Sequence, residues 1–322
     1  MKKKDPQQPA DQLPVRTPVR PAKPKWNLQR NWPLHLLVFP AFVLVLIFQY
    51  APLPGLIMAF QEFKPWLGYF DSPFIGLEQF RKIIEIPQAR QVIWNTFLIS
   101  SFKIVFQLLV PFVFALLLNE VRIMVFKRFV QSFVYLPHFL SWVILGGILI
   151  DMLSTDGGLI NQVLTSLLPI EPIFFLGDGD WFRFTVIVSD VWKDFGFSTI
   201  VFLAALAGID PSLYEASLID GANRFKQALY ITIPGMIPIT IVVGTLSLGN
   251  ILNAGFDQIF NLYNPLVYQK GDIIDTYVYR IGLLSGDYSF GTAVGMFKSI
   301  ISFVLIVAAY RMAYKFANYR IF

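Results

Sequence analysis

The chain has no cysteine, which excludes disulfides, thiolate chemistry and cysteine-ligated zinc. It has two histidines, His35 and His138, on different apolar runs, so histidine-based metal or haem chemistry has little to build on. The phosphate-cradling pattern G-x-x-x-x-G-K-[ST] is absent, so no nucleotide-hydrolysing loop is encoded here. Charge is scarce too, at 15% of 322 residues, and no single basic stripe exists that would suit nucleic acid. What fills the chain instead is apolar: 55% hydrophobic and 16% aromatic, with 32 phenylalanines. An ordinary soluble domain is less apolar, and the composition points to lipid as the solvent.

About 20 apolar residues carry a helix across the hydrocarbon core. Six stretches qualify, near 34–57, 94–118, 129–153, 182–206, 234–256 and 292–310. The expected class is therefore an all-α polytopic membrane protein. Pro52 and Pro54 should interrupt the first span near its outer end, and Pro111 should kink the second. Residues 1–30 hold six prolines and eight basic residues with little to bury, and read as a disordered tail. A first helix with an external loop follows over 31–90, and the five remaining spans over 91–322.

Lysine and arginine bias sets the orientation. With the N-terminus inside, the internal segments carry sixteen basic residues and the external loops six, and the loop 154–181 carries none. Both termini and the loop containing Glu215 are then expected in the cytoplasm.

That loop, EASLIDGANRFKQALYITIP over 215–234, is the most informative segment. Asp210 and Pro211 suit a helix start. On that helix Leu213, Ala216 and Ser217 share one face, and Glu215 and Ile219 another. Gly221 permits a reversal. A second short helix over 222–231 is expected to stop at Pro234. The bland reading is a solvated re-entry loop. The spacing is Glu215-Ala216-Ser217, three residues ending in Asp220, Gly221, nine residues, then Ile231-x-x-Pro234. It resembles the EAA loop of permease subunits in binding-protein-dependent ABC importers, with Ser217 where alanine is common and Ile233 where leucine usually stands.

The core from about 91 to 320 is similar to type I ABC importer permeases of the maltose-transporter type. GLEQFRKI at 76–83, NTFLIS at 95–100, ALLLNE at 115–120 and the ending YRMAYKFANYRIF resemble the LplB-like subgroup. That subgroup imports oligosaccharides and polysaccharide fragments and includes the alginate importer's permease. The resemblance implies a subunit of the bacterial inner membrane with no cofactor of its own. It also implies a second permease, two ATPases using ATP and magnesium, a solute-binding protein outside, and Glu215, Ala216, Ser217, Asp220, Gly221, Ile231 and Pro234 as the ATPase-coupling residues. An ion-gradient-driven secondary transporter is the rival, opposed by six spans without an evident internal repeat.

Ionisable groups inside spans suggest function. Lys193 stands within reach of Asp190 and beside Asp194, as a structural ion pair or as part of a polar wall. Ser247, Asn250, Asn253, Asp257 and Gln258 form one polar stripe on the fifth span, suited to sugar hydroxyls or to hydrogen bonds between helices. Lys103 and Lys298 have no evident partner nearby in sequence, which would suit an acidic glycan such as a uronate oligomer. Gly291 and Gly295 permit a close helix approach.

Overall fold

The computed structural model describes residues 28–317, with side chains described over 32–311. The tail expected over 1–30 therefore lies, up to residue 27, outside the described residues, as do the last five residues of the terminal segment. The architecture is helical, and among the described residues one bridge between extended residues joins Gln61 to Phe74. Residues up to Pro54 and those from Gly55 onward form two units. In the first, α1 (Leu28–Val45) passes into a π turn at Leu46–Tyr50, and past Ala51 and Pro52 the chain goes on in 3-10 turns at Leu53–Phe60, so the prolines change the helix type rather than stop it.

The second unit is built on α2 (Pro87–Glu120) and α5 (Gly179–Ala207), which pack along one another. Pro111 is accommodated inside α2 without ending it. Around them stand α3 (Met124–Tyr135), α4 (Trp142–Leu153), α6 (Pro211–Ile219), α7 (Ile233–Leu248), α8 (Phe256–Leu262) and α9 (Tyr288–Ala317). Among the described residues four helices are long and apolar enough to cross a membrane, and six spans result if each of two bent pairs counts as one. Exposed leucine, phenylalanine and valine cover their outer faces, which is the surface lipid would solvate.

The structure corrects three expectations. The third stretch is not one helix: α3 and α4 meet at 101°. Pro137 enters a short 3-10 turn at Leu136–Phe139, and Ser141 caps a new helix by accepting from the Ile144 N–H. The second correction concerns Pro234, which does not stop the helix before it. The chain runs helically from Arg224 to Leu248, 25 residues, through a π turn at Ala228–Thr232. That turn lets the Ile233 N–H bond to the Ala228 carbonyl, absorbing the ring that an unbroken α-helix would reject. Last, the fifth span ends at Leu248 rather than near 256. A run of turns follows, and Gly255 at φ +91° starts α8.

Candidate functional site

Two places matter: a polar cavity in the helical core, and an exposed elbow at α6. The cavity, about 220 Å³, is lined by Ser100, Lys103 and Gln107 of α2, Asp190 and Asp194 of α5, Ser247 of α7, and Asn250 and Asn253 of the turns that follow it. Five of the seven residues expected to line a path are thus brought together from α5, α7 and the turns after α7. Lys193 and Asp257 are not among them. Lys193 points away: it donates to the His138 carbonyl at 2.9 Å, stands 3.6 Å from Asp194, and lies over the Trp142 ring. The expected Lys193–Asp190 pair is therefore replaced by Lys103–Asp190 at 3.1 Å. Asp257 falls beyond the break, on α8, where the helix turns its side chain elsewhere and its carbonyl accepts from Asn261. The polar stripe is real as far as Asn253, but it follows a turn rather than one helix.

Neither remaining lysine lacks a partner. Lys103 also donates to the Ala254 carbonyl at 2.7 Å and to Gln258, and Lys298 donates to Asp275 at 2.5 Å. Neither lysine is therefore free to meet an acidic cargo. Gln107 donates to the second oxygen of Asp190 at 2.6 Å. His138 meets Asp194 at 2.8 Å and stacks on Phe197 with ring centroids 4.1 Å apart, pinning the α3–α4 bend to α5. Sequence reasoning missed Ser100 and Gln107. Their signal was available: Ser100, Lys103 and Gln107 recur at helical spacing on an apolar helix.

The elbow is built as its sequence dictates. Asp210 accepts from the Ser212 N–H at 2.9 Å and caps α6, and its hydrogen bonds from Ser212 hold the carboxyl below the usual carboxylate range. Past Asp220, Gly221 adopts φ +74°, and the Ala222 N–H closes on the Ser217 carbonyl at 2.9 Å, a left-handed helix end. Asn223 caps the rod that begins at Arg224. Gln227 donates to the Ser217 hydroxyl at 2.8 Å, and the Tyr214 and Thr232 hydroxyls meet at 3.0 Å, so the two arms are tied together. Arg224 reaches Glu120 at the end of α2, at 2.9 Å. Leu213, Glu215, Ala216, Leu218, Ile219 and Phe225 remain exposed, Ile219 by 87%, while Ile231 is half-buried and Pro234 exposed.

This geometry can be set beside known proteins. No family model matches the chain. Protein LplB of Bacillus subtilis is 42% identical over 289 residues, covering 90% of this chain and 91% of that one. The chain belongs to the permease subunits of sugar ABC importers, of the LplB and YteP type. YteP, the polygalacturonan/rhamnogalacturonan transport system permease of the same bacterium, is 39% identical over 285 residues, 88% of each chain. Among solved structures, a bacterial ABC transporter involved in import of the acidic polysaccharide alginate superposes with a TM-score of 0.82 at 36% identity. The match covers 90% of this permease and 97% of that chain. A second structure, of the alginate transporter in complex with a periplasmic protein carrying an alginate pentasaccharide, gives 0.81 at 35% identity over 89% and 96%. The permease is accordingly an inner-membrane component of a sugar or oligosaccharide importer and not a catalytic subunit itself.

Proposed function

We propose that this permease forms half of an ATP-driven, binding-protein-dependent translocation path for oligosaccharides, coupled to its ATPases through the α6 elbow. One observation carries the reading: the cavity wall gathers hydroxyls and amides, Ser100 and Gln107 of α2, Ser247 of α7 and Asn250 and Asn253 of the turns after it, beside the Lys103–Asp190 pair. Hydroxyls and amides offer donors and acceptors together, which is what sugar hydroxyls require. The exposed apolar face of α6, with Glu215 beside it, supports a docking role. It stands on a rod that enters the core as α7, so displacement of the elbow would reach Ser247 along one helix and Asn250 in the turn just beyond it. Closure of two ATPase subunits would rock α5 and α7, with a second permease supplying the other half of the path. Import of uronate oligomers is proposed from the cargoes named for the relatives and not from Lys103 and Lys298, which are paired with Asp190 and Asp275 of this chain.

The test is reconstitution in vesicles with the co-expressed partner subunits and binding protein. Uptake of neutral and uronate pentasaccharides is measured with ATP alone and with a proton or sodium gradient alone. Uptake that follows ATP and fails without the ATPases is expected; uptake driven by the gradient alone establishes a secondary transporter instead. Asn250→Leu with Asn253→Leu should abolish uptake while the complex still assembles, and normal uptake would remove these residues from the path.

A further inference from the structure

Lys103 is 5% exposed and reaches three elements at once. It starts from α2, pairs with Asp190 of α5, and donates to the Ala254 carbonyl within the break after α7 and to the Gln258 side chain just beyond it. An ammonium has three N–H donors, and these three acceptors use all of them. No donor is left for cargo, although the side chain lines the cavity. Gln258, fully buried, then donates to the Val186 carbonyl at 2.7 Å and to the Ser189 hydroxyl at 2.9 Å, both on α5. The break has no α-helical ladder, only three-residue turns such as the Asn250 N–H on the Ser247 carbonyl at 2.9 Å and the Asn253 N–H on the Asn250 carbonyl at 2.8 Å. Gly255, in the left-handed region, lies against the ammonium: a Cβ there would meet Nζ at 3.2 Å.

We propose that Lys103 is a positioning residue that clamps the break of the fifth span, so that Asn250 and Asn253 face the cavity while Ile251 and Leu252 stay in the core. The proposal rests on the cavity being the path. Its geometric part stands without that reading, because the clamp can be measured without sugar. Ile251 and Leu252 are 9% and 4% exposed, whereas Asn250 and Asn253 are exposed. A turn released from the ammonium can rotate, and a rotation exchanges these two pairs.

The absence of native cysteine in this chain makes the test direct. Single cysteines are placed at Leu252 and, separately, at Asn253 in the assembled importer, and labelling by a water-soluble maleimide is timed. In the parent, Asn253→Cys labels and Leu252→Cys is protected. The deciding background is Lys103→Met with Asp190→Asn, which removes the clamp and leaves no buried charge uncompensated. Labelling at position 252 should rise by about tenfold there, as for a locally opened segment. Parent-like protection at 252 overturns the proposal, because Lys103 would then serve only to neutralise Asp190. Should that background fail to assemble, Lys103→Leu with Asp190→Leu, which likewise removes the ammonium together with its counter-charge, decides by the same rule. Sugar uptake measured alongside separates the two claims: altered labelling with unchanged uptake keeps the clamp and sinks the path.

Discussion

At the scale of single residues, two positions in the elbow carry predictions. Asp210 has its carboxyl pKa lowered by hydrogen bonds from Ser212, so its contribution to the helix start is present above the unfolded carboxylate value. It is lost only as pH falls through the lower folded one. The elbow should therefore be insensitive to pH near neutrality and fray in acid, below about pH 4. Asp210→Ala should speed hydrogen exchange of the α6 amides on the order of fivefold at neutral pH, the scale of a lost cap. Gly221 is different, since its surroundings are open and only its φ of +74° constrains it. Gly221→Val should distort the reversal without filling any space, a strain of about 1–3 kcal/mol. The ratio of sugar imported to ATP hydrolysed should drop in the reconstituted complex; an unchanged ratio would count heavily against the elbow as the coupling device.

Elements show where local pattern was legible and where it was not. The start of α6, the reversal at Gly221 and the spans 94–118 and 182–206 follow from composition and spacing, because each depends on neighbours in sequence. The α3–α4 bend does not, since Pro137 in an apolar run is compatible with either a kink or a break; His138 on Asp194 and Phe197 selects the break. Pro234 misleads in the opposite direction, because a π turn can absorb what an α-helix cannot. The Gly291 and Gly295 pair is a further case. Only Gly291 is used: a Cβ on it would meet the Gly282 Cα at 2.8 Å, whereas Gly295 has open space. Gly291→Ala should destabilise by about 1–3 kcal/mol through overpacking, and Gly295→Ala should be near neutral. Thermal unfolding of the detergent-solubilised protein distinguishes them, and equal melting temperatures would refute the contact.

Over the whole molecule, burial of ionisable groups is what sequence could not apportion. Lys103, Asp190, Asp272, Arg280, Asp275 and Lys298 are each visible as charges in or near apolar runs. Lys103–Asp190 and Lys298–Asp275 pair across helices brought together by the fold, whereas Arg280 reaches back to Asp272 eight residues before it. Removing one partner of the buried Lys103–Asp190 pair should cost about 3–5 kcal/mol, far more than removing both. Topology is testable at the same scale. On the bias of basic residues, position 157 is expected outside and position 223 inside. A cysteine at Gly157 should react with an impermeant maleimide on intact spheroplasts, and one at Asn223 only on inverted vesicles; the reverse pattern would invert the whole orientation.

The unbroken rod from Arg224 to Leu248 has a consequence in angular phase. Its 25 residues span about 37 Å, and each added residue turns everything beyond it by about 100°. One alanine inserted between Ile241 and Val242 should therefore face Ser247 toward the wrong side and silence import. Seven alanines at the same point restore the azimuth to within about 20° while lengthening the shaft by about 10 Å. Partial recovery with seven but none with one would identify torsion, rather than reach, as the quantity this shaft delivers.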